Sequence, residues 1–182
     1  MDGPFYVDLR EPFFSADASP VTLATTYKAL YTASAFPVLG GQYFARVGKK
    51  MRITLFGKMT TAATPGNGSF KLLYGTGADA NGVALVTGTP VALTASQTDM
   101  SWWAQFTITC RSTGSTGTLM VTGIAVHNEA VLAPHQMIPT TAAVVSGACD
   151  LTTALIISVQ YARSGNTAET MTVQEMTVEA MN

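Results

Sequence analysis

Thr98-Asp99-Met100-Ser101-Trp102-Trp103-Ala104-Gln105-Phe106-Thr107-Ile108-Thr109-Cys110-Arg111-Ser112 is the stretch whose reading decides the fold. Met100, Trp102, Ala104, Phe106, Ile108 and Cys110 fall on every second position, and Asp99, Ser101, Trp103, Gln105, Thr107, Thr109 and Arg111 fill the gaps. Strand side chains alternate faces, so this is one long strand with an apolar side and a polar side. Gly114-Ser115-Thr116-Gly117 and the β-rich run 118–126 complete a hairpin. The adjacent Trp102 and Trp103 must point opposite ways, one into the core and one out. An outward Trp103 beside Gln105 and Asp99 suits a sugar platform or the anchor of a subunit contact, and the subunit contact is the expectation.

Working outward, residues 21–32 read as a strand, and residues 42–47 and 51–61 as a hairpin about Gly48-Lys49-Lys50. Residues 69–75 are a short strand, and 83–86 and 89–93 a pair about Thr87-Gly88. Residues 127–139, broken by Pro134 and Pro139, read as irregular, followed by strands at 140–148, 153–161 and 171–181. That makes about nine or ten strands and no helix, the pattern of an all-β sandwich or barrel. Strand count, long loops and strand lengths suit a single β-sandwich of the jelly-roll kind.

Residues 1–20 stand apart from this body. Pro4, Pro12 and Pro20 block helix and central strand alike, and Phe5, Tyr6, Phe13 and Phe14 are too apolar for a free linker. The expected organisation is an extended arm, 1–20, and a sandwich domain, 21–182. The arm is expected to lie along its own domain or to reach a neighbouring subunit, with Phe5, Tyr6, Phe13, Phe14 and Trp103 as contact residues.

A chain of 182 residues suits one domain with a full core. Its charged content is 12%, where roughly 25% is usual in soluble domains. Thr, Ser, Ala and Gly must therefore cover the surface, and a charge-poor surface favours association. The net charge of −1 argues against nucleic acid as a ligand. Arg46, Lys49, Lys50 and Arg52 form a basic cluster that reads as a solvated turn. No apolar run approaches the ~20 residues of a membrane-spanning helix. Met1-Asp2-Gly3-Pro4 opens no secretory leader, so synthesis in a cytoplasm and buried thiols at Cys110 and Cys149 are expected.

Candidate chemistry is sparse. His127, Glu129 and His135 are metal-ligand types, but Pro134 breaks any helix that would gather them, and no metal site is expected. Asp79-Ala80-Asn81-Gly82 lacks the later ligands of a calcium loop and reads as a turn. Asp150 with either histidine and a serine makes no recognisable triad, and no phosphate-cradling glycine loop precedes a helix. No cofactor is expected, and the chain is expected not to be an enzyme.

Several segments carry a family likeness. These are Thr25-Thr26-Tyr27-Lys28-Ala29-Leu30, Lys50-Met51-Arg52-Ile53-Thr54, Phe70-Lys71-Leu72-Leu73-Tyr74-Gly75 and Asp150-Leu151-Thr152-Thr153. The last runs into Ile157-Ser158-Val159-Gln160-Tyr161 and a final strand ending in Val178-Glu179. Over residues 20–182 the chain resembles the small jelly-roll virion proteins of tailed bacteriophages. That resemblance implies a structural virion protein at the capsid surface, made in the host cytoplasm, that decorates and stabilises the shell. It further implies a homotrimer gripping the major capsid protein through the arm. The rival reading is a fibre- or tail-tip module that recognises a host-surface glycan near Trp103.

Overall fold

In the computed structural model, which describes residues 20–76, 81–127, 135–164 and 169–181, alternation of apolar and polar residues becomes two antiparallel sheets face to face. The arm residues Phe5, Tyr6, Phe13 and Phe14 lie outside the described residues. The strands are β1 (Val21–Thr22), β2 (Lys28–Ala29), β3 (Lys50–Thr60), β4 (Asn67–Gly75), β5 (Gly82–Thr87) and β6 (Val91–Ala92). They continue with β7 (Met100–Ser112), β8 (Thr118–His127), β9 (His135–Ile138), β10 (Ile156–Arg163) and β11 (Thr170–Met181). One sheet has six strands in the order β1-β11-β3-β7-β8-β9, and the other runs β2-β10-β4-β5, with β6 also paired to β4. Among the described residues no helix is long and apolar enough to cross a membrane.

The core lies between the sheets. Phe70 of β4 sits at its centre, with ring centroids 5.9 Å from Trp102, 5.9 Å from Phe106 and 4.8 Å from Tyr161. Edge-to-face and tilted contacts of this kind are the favoured arrangements of aromatic rings. Trp102 reaches that centre because its neighbour on β3, Gly57, has no side chain. A Cβ at Gly57 would meet Trp102 Cε2 at 2.9 Å and overlap the Thr172 carbonyl oxygen.

The long central strands stand where the alternation places them, and several neighbours do not. Residues 42–47 form turns rather than a strand, closed by Tyr43 N–H to Gly40 O and Ala45 N–H to Gln42 O. β3 therefore pairs with β7 and β11, and the basic cluster leads into β3 instead of capping a hairpin. Residues 21–32 split into two short strands on opposite sheets, because Leu23 N–H bonds Glu169 O while Leu30 N–H bonds Val159 O. β5 and β6 do not pair with each other; both pair with β4, a longer partner with a covered face. Residues 135–138 form strand β9 on the free edge of β8, whereas 140–148 contributes only an isolated bridge, Val145 to Met120.

Two irregularities position surface residues. The register of β11 on β3 shifts between Val173 and Glu175, so Gln174 and Glu175 are both exposed while Val173 and Met176 stay in the core. The register of β7 on β8 shifts between Cys110 and Ser112, leaving Arg111 exposed. Cys110 and Cys149 are buried free thiols.

Candidate functional site

Odd positions of β7 and even positions of β3 point away from the core, and sheet register lines them into rows across the six-stranded sheet. One row runs Glu175, Phe56, Trp103, Val126, His135 from β11 to β9. The next runs Thr177, Thr54, Gln105, Ile124, Met137. Trp102 is 2% exposed, so Trp103 is the outward member of the pair, as the alternation requires.

Phe56 and Trp103 are direct cross-strand partners, with centroids 6.3 Å apart and ring planes 28° from parallel. Phe56 is 44% exposed and Met137 60%, while Trp103, Ile124 and Val126 are half-buried. This run of partly exposed apolar side chains, with two near-parallel rings in it, is the main apolar feature of this face.

Polar groups border the rings. Gln105 Nε2 donates to Thr54 Oγ1 at 3.2 Å, which fixes the amide beside Trp103. Lys58 Nζ lies 3.4 Å from Asp99 Oδ1 at the end of the sheet where β7 begins. Asp99 has a φ of 52°, a left-handed conformation that Asp tolerates, and its backbone N–H donates to Thr60 Oγ1 at 3.3 Å. The opposite end of the face carries Arg52, whose Nη1 is 3.7 Å from Glu179 Oε2.

The remaining candidates fall elsewhere. Asp150 turns onto its own loop, accepting from Thr152 Oγ1 at 2.5 Å, Thr152 N–H at 2.9 Å and Thr153 Oγ1 at 2.9 Å. Those bonds, the Thr152 hydroxyl first, hold its carboxyl below the usual range. Burial pushes both thiols up, which disfavours the nucleophilic thiolate. His135 is exposed on β9, while the His127 side chain, Glu129 and Asp79 lie outside the described residues. Among the described residues no three His, Cys, Asp or Glu side chains gather as metal ligands. Phe56 is the residue that sequence reasoning passed over, although its place between Thr54 and Lys58 puts it on the polar face.

Fold and face together define an all-β, two-sheet antiparallel sandwich with an aromatic patch on one outer surface. No family model matches the sequence, and no curated protein matches it. One similar solved structure is a GH43 glycoside hydrolase engineered to display both endo-xylanase and exo-arabinofuranosidase activity. It has a TM-score of 0.42 and 8% identity over 100% of this chain and 42% of that one. Another is a legume lectin-like domain from Entamoeba histolytica, with a TM-score of 0.34 and 10% identity over 98% of this chain and 100% of that one. This chain thus spans well under half of the hydrolase, and likenesses this distant transfer no activity.

The family expectation is corrected on these findings: the neighbours are a glycoside hydrolase and a lectin-like domain, not virion proteins. With it go the capsid-surface location, the decoration role, the major capsid protein as partner and the trimer. The physical reason lies in the segments that suggested it. Residues 50–54, 70–75 and 157–161 are central strands, whose alternation follows from burial between two sheets and recurs in any sandwich.

Proposed function

We propose that this chain is a non-catalytic carbohydrate-binding module that holds a glycan against the outer face of the six-stranded sheet, over Phe56 and Trp103. The observation that carries it is the pairing of two near-parallel, partly exposed rings with Gln105, Asp99 and Lys58 at their border. A pyranose has an apolar C–H face and an equatorial rim of hydroxyls. The rings supply the apolar contact, and the amide, carboxylate and ammonium supply donors and acceptors for the rim. The fitting role is that of a tip module recognising a host-surface glycan.

The strand order supports a scaffold reading of the same kind. The order β1-β11-β3-β7 over β2-β10-β4-β5, with β8 and β9 extending one sheet, supports reading the scaffold as a jelly roll, a plan that lectin domains among others use. The acids of the face favour binding over hydrolysis. Asp99 and Glu175 stand two strands and four residues apart, about 16 Å by strand spacing and rise, whereas a glycosidase pair needs roughly 5–9.5 Å.

A glycan array tests this reading, with Trp103→Ala and Phe56→Ala as controls. The native chain is expected to give specific hits that each variant weakens by about tenfold or more, with far-UV circular dichroism unchanged. An array without hits, or hits indifferent to both variants, overturns it.

A further inference from the structure

The half of this face remote from Lys58 and Asp99 is strongly basic. β3 runs from Phe56 back to Arg52 and Lys50, and the turn before it brings Arg46 and Lys49 to the same end through Gly48 N–H to Cys110 O and Cys110 N–H to Lys49 O. The bulge after Cys110 adds Arg111. Arg46, Lys50 and Arg111 are exposed, while Lys49 lies over the Tyr43 ring at 5.2 Å.

Among the described residues Arg46, Lys50 and Arg111 make no ion pair. Glu179 stands 3.7 Å from Arg52, beyond hydrogen-bond length, and Arg52 Nε is buried with no hydrogen-bond partner among the described residues. Asp150 belongs to the loop that bonds the β7–β8 turn, through Leu151 N–H to Gly114 O, but its carboxylate is engaged by Thr152 and Thr153. The Arg52 side chain is partly exposed, and its outer Nη groups suit carboxylate or sulfate oxygens, to which a guanidinium donates two hydrogen bonds at a time.

Resting on the carbohydrate-binding reading above, we propose that the ligand is an anionic oligosaccharide laid along β3 and β7. One sugar sits on Phe56 and Trp103, and its acidic groups, carboxylate or sulfate, fall at Arg52, Lys50 and Arg111. Phe56 and Lys50 are six residues apart on one strand, about 20 Å at the strand rise, so the ligand spans several sugar units. Thr54, Gln105 and Thr107 line the path between with neutral hydrogen-bonding groups.

Calorimetric titration of the whole chain separates the two readings. The probes are a uronic-acid oligosaccharide, its methyl ester, and a sulfate ester of the matching neutral oligosaccharide. At low salt the charged forms are expected to bind about tenfold more tightly than the methyl ester, with the preference shrinking in high salt. Which of the two charged probes binds more tightly identifies the anion. Lys50→Gln combined with Arg111→Gln is expected to cut the preference severalfold, Arg52 remaining, and leave methyl-ester binding unchanged, because both side chains are exposed; a preference untouched by the double variant overturns the assignment. Trp103→Ala is expected to weaken all three. Equal binding of charged and neutral forms, still dependent on Trp103, overturns the anionic ligand alone. Binding of none of the three overturns this proposal, and a glycan array empty as well overturns carbohydrate binding itself.

Discussion

Replacing the two adjacent tryptophans one at a time separates the fold from the face. Trp102 is 2% exposed and packs 5.9 Å from the Phe70 ring, between two sheets. Truncating a core aromatic to alanine costs about 3–5 kcal/mol, and in a chain of this size each kcal/mol lowers Tm by about 2–4 °C. Trp102→Ala is therefore expected to lower Tm by about 6–20 °C. Trp103→Ala loses a half-exposed ring and its contact with Phe56, a pair worth about 0.5–1.5 kcal/mol, so Tm should fall by only a few degrees. A third variant sharpens the contrast. Trp102 Nε1 is buried with no hydrogen-bond partner among the described residues, and such an orphaned donor costs about 1–3 kcal/mol. Trp102→Phe removes it while giving up about 1–2 kcal/mol of packing, so the change should be close to neutral. Urea unfolding followed by circular dichroism, with scanning calorimetry, reads all three. If Trp103→Ala equals or exceeds Trp102→Ala, the strand is out of register by one residue and every outward row described above is wrong.

Two further perturbations probe the body that carries the face. Glu169 is 0% exposed and its Oε2 forms an ion pair at 3.3 Å with Arg163 Nε, whose N–H donates to the Leu23 carbonyl at 3.1 Å. Glu169→Gln leaves a buried guanidinium short of its counter-charge and is expected to cost about 3–5 kcal/mol in urea unfolding; a loss under about 1 kcal/mol would show the pair to be solvated instead. Burial pushes the Tyr43 and Tyr74 phenols up to about 12 from an ordinary value of 10.0. The native state keeps phenol protons that the unfolded chain releases, so stability is full below pH 10 and falls as pH rises from about 10 to about 12. A urea midpoint that stays flat across that window contradicts the burial of these side chains.

Legibility tracked the length of each alternating run. β7 and β11 read cleanly because 13 and 12 residues of strand repeat the same inside–outside choice many times over. β1, β2 and β6 are two residues each, so no periodicity exists to read, and their pairing is a two-residue register with a distant strand. β10 is buried along all eight residues, so its pattern signals a covered strand without naming its faces. The face itself was half legible. Trp103 followed from alternation alone, but its partnership with Phe56 depends on the register between β3 and β7, which links residues 47 positions apart and leaves no local mark.

The low charge content acquires a different meaning once the rows are placed. Residues 1–20 hold four of the acids, Asp2, Asp8, Glu11 and Asp17, against Arg10, so a chain of net charge −1 carries a net +2 over residues 21–182. Five of the nine cations in that span, Arg46, Lys49, Lys50, Arg52 and Arg111, gather at one end of one sheet. The row beside them, Thr177, Thr54, Gln105, Ile124 and Met137, adds no opposing charge, and Glu175 stands one row further off. A modest number of cations on an otherwise neutral face sets the sign of the potential there, where on an ordinary surface interspersed acids would cancel it. Scarcity of charge thus makes the basic corner effective.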